Sequence, residues 1–315
     1  MATEKTTRSY ILQSVISKNG SWNNDFNGSP KQYDDQFFAS DRALKYAVRH
    51  LMEQMGKNVL IKKWVKGIKS GKKETNPSEY EVMNQADLKK HIKETTGKDF
   101  HQAFWDFEDV RQFGMLYDNL NVHGVAQISQ GLDLFGEGVL YRDELTGRMV
   151  FSTKGDSDKE TRGMATREFL SEAHFVYDIS VNPANVHFLK EIPGYEDCYY
   201  TEEDYQTLLE CLENGPHNVK STQKLNVNTG FMCRIDLKEG VKVLLGNLQG
   251  KLRIVESEEE GKVVYDVSEL FKYLRNKQDH SEEEIFEAVH ISYEGSEIVL
   301  KGVDKGVDNV TIEEY

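Results

Sequence analysis

The stretch Glu108-Asp-Val-Arg-Gln-Phe-Gly-Met-Leu-Tyr-Asp-Asn-Leu-Asn-Val-His-Gly-Val-Ala-Gln-Ile-Ser-Gln-Gly-Leu-Asp-Leu-Phe135 changes period in its middle. Val110, Phe113, Leu116 and Tyr117 recur at helical spacing, which predicts the end of a helix. Beyond them Val122, Val125, Ile128 and Leu132 are apolar among Asn121, His123, Gln127, Ser129 and Gln130. That pattern predicts a strand with one wet face. Polar side chains on such a face can hydrogen-bond bases or 2′-hydroxyls. They can equally be the ordinary outer face of a half-buried strand.

Asp109-Val-Arg-Gln-Phe-Gly114, followed by His123-Gly-Val-Ala-Gln-Ile-Ser-Gln-Gly131, resembles the backbone subunit of type I CRISPR effector complexes (Cascade). That subunit is CRISPR-associated protein seven, of the RAMP superfamily; subtype I-B is the nearest and I-C the next. The family pattern is Asp-x-Arg-x-Phe-Gly, then Thr-Gly-Pro-Val-Gln-x-Ser-x-Gly. This chain keeps the Gly, the Gln and the Ser and lacks the Thr and the Pro. The resemblance implies an α+β fold, a ferredoxin-like or RRM-like core sheet carrying a finger-like insertion and a thumb hairpin. It implies a non-catalytic, cytoplasmic CRISPR RNA-binding protein without cofactor or metal. Several copies would line up along the guide, with other subunits of the complex, and present it for pairing with target DNA in antiviral defence.

The 315 residues, 38% of them hydrophobic, suffice for one large domain, with insertions expected at about 66–107 and about 136–172. No apolar run approaches the ~18 residues of a membrane span, and the first residues read as no signal peptide. Cys198, Cys211 and Cys233 are far apart without metal spacing, so buried free thiols in a reducing compartment are expected. A net charge of −14 speaks against a nucleic-acid binder, but the distribution is uneven. Residues 42–73 carry ten Lys/Arg and one acid, Glu53, whereas residues 201–315 carry 13 Lys/Arg against 24 Asp/Glu. The basic run is either an anion-facing surface or a solvated loop.

From the start of the chain, Ser9–Ser17 reads as a buried strand, followed by a polar Asn/Gly loop over residues 18–30. Family members often carry Asn-Pro-Asn-Gly-Asp-Pro in this loop, so Phe26-Asn-Gly-Ser-Pro30 makes Asn27 and Gly28 the implied RNA contacts. Trp22 has two uses open to it, stacking on a base or burial. Ser40 reads as the cap of a helix to about Met55, with Gly56 past its end. Arg42, Lys45 and Arg49 align on that helix and could grip adjacent phosphates. They match a family helix beside the RNA groove.

Asn58–Trp64 reads as a strand, residues 66–77 as a basic loop, and residues 84–96 as a helix. A hairpin is expected around Leu145–Arg148. The resemblance places the thumb near Arg162-Gly-Met-Ala-Thr-Arg167, which makes Arg162, Met164 and Arg167 candidates, with Met164 as an apolar wedge between nucleotides. Thr201 caps a helix expected to end at Gly215, and the loop after it offers Lys220 and Lys224. Ser281 and Glu284 form a capping box, predicting a helix to Val289.

No phosphate loop, metal pair or nucleophile elbow is present in the sequence. Two alternatives stay open: a RAMP endoribonuclease using His50 or one of Asp25, Asp34 and Asp35, and an RNA-free adaptor whose acidic half is the working surface.

Overall fold

Ser9–Gly20 (β1) is the strand around which one half of the molecule assembles, and its residues from Ser9 to Ser17 are all buried. A strand apolar on both faces needs a neighbour on each edge and cover on each side. The computed structural model describes residues 3–67, 80–117, 120–148 and 162–315, and of residues 117, 120, 144–148 and 162–166 the backbone alone. After β1 come β2 (Gln32–Tyr33), β3 (Gln36–Ala39), α1 (Asp41–Gln54), α2 (Gln85–Thr96) and α3 (Glu108–Phe113). Next are β4 (Gly131–Asp133), β5 (Leu140–Arg148), β6 (Arg162–Val181), α4 (Glu202–Asn218) and β7 (Val227–Leu237), then α5 (Ser268–Asp279), β8 (Phe286–Tyr293) and β9 (Val310–Glu314).

These strands form a large mixed sheet in the order β9-β8-β7-β1-β6-β4-β3-β2, with β5 paired to β6. β1 runs antiparallel to β7 from Ser9↔Asp236 to Ser17↔Val227, with a bulge between Ser14 and Val15. β8 is antiparallel to β7, and β9 is parallel to β8. The chain is thus α+β, with one large sheet and several helices.

The chain divides into two compact units, one of residues 1–8, 45–127 and 180–212 and the other of residues 9–44, 128–179 and 213–315. In the second unit Leu12, Ile16, Phe231, Ile235, Tyr265, Phe271, Phe286 and Ile291 belong to one buried cluster. Each such side chain contributes about 1.5–3 kcal/mol on leaving water. In the first unit Ala47, Val48, Met52, Phe104, Val110, Tyr205 and Leu208 are buried. There α2 opens on a capping box of Asn84 and Asp87 and closes on Gly97. The three cysteines are free and buried, and burial pushes the Cys211 and Cys233 thiols up to about 12. Among the described residues no helix is long and apolar enough to cross a membrane.

Several local expectations are corrected. The helix at the signature stops at Phe113, because Gly114 turns the chain at φ 75°; Leu116 and Tyr117 then sit in a short strand, Gly114–Tyr117, paired with Leu120–His123. Residues 58–64 are not a strand, because a carboxylate rather than a neighbouring strand takes the Leu60 and Ile61 N–H groups. Leu145–Arg148 is no turn but ladder, with Thr146 opposite Met164 and Arg148 opposite Arg162. α4 runs past Gly215 to Asn218 with Pro216 inside it. The capping box at Ser281 starts no helix: Phe286, Val289 and Ile291 are buried in a strand paired on both edges, and that burial outweighs the local signal.

Candidate nucleic-acid interface

The second unit ties together two polar loops about two hundred residues apart in sequence. Lys18 N–H donates to the Asn226 carbonyl at 3.1 Å, and Ser21 N–H donates to the Gln223 carbonyl at 2.9 Å. A Cβ on Gly20 would lie 2.4 Å from that same carbonyl oxygen, so the loops can approach only because residue 20 has none. Asn24 reaches the Gln223 side chain at 3.4 Å. Asn23 Oδ1 accepts both the N–H and the hydroxyl of Ser40 at 2.9 Å, which fixes the start of α1 to the same loop.

The tip of the first loop is closed on itself. Asn24 and Pro30 form an isolated bridge, Asp25 N–H donates to the Ser29 carbonyl at 2.7 Å, and Asp25 Oδ1 accepts from the N–H groups of Asn27 and Ser29 at 2.8 and 3.0 Å. Gly28 takes φ 90° to close the turn. Asn27 is exposed at this tip, and so is Phe26.

Trp22 is 1% exposed and donates its indole N–H to the Tyr177 hydroxyl at 2.8 Å, so the burial use is the one observed. Lys224 lays its ammonium 4.9 Å from the Trp22 ring, and burial holds its pKa below the usual lysine value. Exposed Lys220 donates to the Leu225 carbonyl at 3.2 Å. Ser129 donates its hydroxyl to the Gln130 carbonyl and accepts the Asp178 N–H, each at 2.9 Å, so its oxygen is already engaged.

Of the sequence candidates, the hydrogen bonds of this unit link the segments holding Asn27, Gly28, Lys220 and Lys224, and they tie the helix start two residues before exposed Arg42 to the same loop. The N–H of Ser129 and the indole of Trp22 reach the neighbouring residues Asp178 and Tyr177 of β6.

The first unit gives the signature motif a structural role. Asp109 is wholly buried; it accepts from Leu60 N–H at 2.7 Å, Ile61 N–H at 3.1 Å and Arg49 Nε at 3.1 Å. Arg111 donates Nε and Nη2 to Asp204 Oδ1 at 2.9 and 2.7 Å and Nη1 to the Trp105 carbonyl. The Phe113 ring has the Arg49 guanidinium at 4.9 Å and the Lys45 ammonium at 5.7 Å. Arg49, expected to face phosphate, thus spends its charge on Asp109, and Gln127 donates to the Gly124 carbonyl at 2.8 Å.

Arg167 stands opposite Asp143 in the β5–β6 ladder and is half-buried. The side chains of Arg162 and Met164, and residues 149–161, lie outside the described residues.

Two exposed rings escaped the sequence reading. Tyr46 stacks on His50 with centroids 5.8 Å apart, on the same helix as Arg42, and Phe26 caps the first loop. Tyr46 had a signal, an aromatic off the apolar stripe of an amphipathic helix; Phe26 had none. Among the described residues no group of three His, Cys, Asp or Glu side chains is placed to hold a metal.

No curated protein matches the chain. A chain of a solved "CRISPR RNA-guided surveillance complex, pre-nicking" is similar in fold, with TM-score 0.56 and 13% identity over 98% of this chain and 96% of that one. A chain of another "CRISPR RNA-guided surveillance complex" has TM-score 0.48 and 12% identity over 97% and 94%. The family model described as CRISPR-associated protein Cas7 matches residues 7–270, nearly the whole chain, and with the Asp109–Gly114 staple and the Gln127/Ser129 segment inside that span, the protein belongs to the CRISPR-associated protein Cas7 family.

Proposed function

We propose that this chain is a non-catalytic backbone subunit of a type I, I-B-like CRISPR surveillance complex. It binds CRISPR RNA, lines up with further copies along the guide in the cytoplasm, and presents the bases for pairing with target DNA. The observation that carries this reading is the stapling of two distant loops, which ties the segment holding Asn27 and Gly28 to the segment holding Lys220 and Lys224 in a chain whose net charge is −14. Such a pair of loops grips backbone, and base pairing then reads sequence.

The strand order also supports an RRM-like palm. β7, β1, β6 and β4 are consecutive in the sheet, with α1 between β1 and β4 in the chain and α4 between β6 and β7, as in a βαββαβ unit. On that reading residues 66–107 and 136–172 are insertions into one palm domain, the second carrying the thumb with Arg162, Met164 and Arg167. Arg42 and Lys45 of α1, Gln127 and Ser129 are further RNA contacts on this reading, while Arg49 is engaged by Asp109. Of the loop aspartates Asp25, Asp34 and Asp35, Asp25 accepts the N–H groups of its own turn through Oδ1.

The test is co-expression with a CRISPR array. The wild type is expected to carry RNA with a regular nuclease-protection ladder. Arg42→Glu and Lys220→Glu, both at exposed positions, are expected to weaken binding by about tenfold each at low salt and to flatten the salt slope by about 0.7 per lost contact. A wild type without RNA at low salt, with its partners present, sinks the reading.

Lys224 adds a pH dependence. Its pKa is lowered by burial, so the charged form is disfavoured in the free fold and a bound phosphate draws the proton back. RNA affinity is therefore expected to fall as pH rises through the free Lys224 pKa, below the usual 10.5. Lys224→Arg, charged throughout, should show a flatter profile between neutrality and that value; equal profiles would refute the assignment.

A further inference from the structure

Phe26 stands with its ring fully exposed in a chain that buries most of its large apolar side chains. A single exposed apolar residue is ordinary. Phe26 differs because its backbone is fixed from several directions. The Asn24–Pro30 bridge closes the loop, the Asp25 carboxylate holds the N–H groups on both sides of Gly28, and the base of the loop is tied to Gln223 and Ser40. Fixing this turn costs conformational entropy, and the observed bonds hold an apolar ring in water. A rigid aromatic on a fixed turn loses little further entropy when something flat lands on it.

The chemistry around the ring favours one occupant. Asn27 follows it, Lys31 lies just past the bridge, and Lys220 and Lys224 sit on the loop stapled to its base. Cations and amides on the loops around an exposed ring suit an unpaired base, whose phosphate and edge need polar partners while its face needs an apolar one. Of the large apolar side chains in this loop and β2, Phe26 and Tyr33 are the exposed ones, less than the apolar surface a stable protein partner covers.

We infer that Phe26 is a stacking platform for one unpaired nucleobase of the bound RNA, set at the tip of the stapled first loop. This rests on the RNA-binding reading above and adds to it a base contact made by the protein.

The test uses the full chain and a single-stranded RNA carrying 2-aminopurine, with affinity, salt slope and fluorescence quenching measured together. Phe26→Ala is expected to lose about 5- to 150-fold in affinity with an unchanged salt slope, because the lost contact carries no charge. Phe26→Trp and Phe26→Tyr should retain binding and quenching. Thermal melting checks folding, and a fully exposed side chain should leave it unaltered.

If Phe26→Ala binds like the wild type while Lys220→Glu binds weakly, the platform is refuted and the RNA-binding reading stands. If Phe26→Ala keeps RNA affinity but loses self-association along the RNA, the ring docks on a second copy and the inference is overturned. If the wild type binds no RNA, the reading itself fails.

Discussion

Asp109→Leu is expected to destabilise the protein by about 3–5 kcal/mol, read as a shift in the urea midpoint of the full chain. The carboxylate is wholly buried and holds three donors at once: Leu60 N–H, Ile61 N–H and the Arg49 guanidinium. Leucine branches at the same carbon and is larger than aspartate, so no cavity forms and any overpacking adds to the loss. The cost is that of leaving a mostly buried guanidinium and two backbone N–H groups without their acceptor. Arg49→Met in the same background should recover part of the loss, because it removes the stranded charge, and a double-mutant cycle measures how much. A loss under about 1 kcal/mol would mean that water replaces the carboxylate and that the motif does not act as a staple.

Gly114→Ala is expected to cost more than about 3 kcal/mol. The residue has φ 75° and ψ −175°, a region open in practice only to glycine. An added Cβ would also lie 2.1 Å from the Val122 carbonyl oxygen and 2.4 Å from the Gly124 nitrogen. These are backbone atoms of the strand paired across from it and of the residue just after that strand, so no side-chain rotation relieves the contact. The loss should appear in thermal melting as a large drop or as failure to accumulate folded protein. A variant melting within a few degrees of the wild type would show that the Gly114–Tyr117 pairing can slide aside. Together the two substitutions ask whether the signature that marks the family serves the fold of this unit, as its contacts imply, or touches RNA directly.

Much of this chain was legible from residue order. β1 announced itself as an apolar run, α1 by its stripe and by the serine and glycine at its ends, and α4 by Thr201, whose hydroxyl does accept the Asp204 N–H at 3.0 Å. The signature carried the family. These signals are local or periodic, and one sequence holds them entire.

What only the tertiary structure decided has a common cause: the partner lies far away in the chain. Asn58–Trp64 has strand composition but is claimed by a carboxylate about 48 residues on. Ser281 and Glu284 spell a helix start, yet Phe286 and Ile291 gain more by burial between two strands. The aligned Arg42, Lys45 and Arg49 look equivalent on a helical wheel, but Asp109 and Phe113 engage Arg49 and leave Arg42 exposed. No local pattern tells that the loop of Lys220 and Lys224 is bonded to the loop of Asn27, because that depends on β1 and β7 pairing side by side and on Gly20 letting two loops meet. Residue order determined the elements and the family, and long-range pairing decided which charges were engaged inside the fold and which stayed exposed.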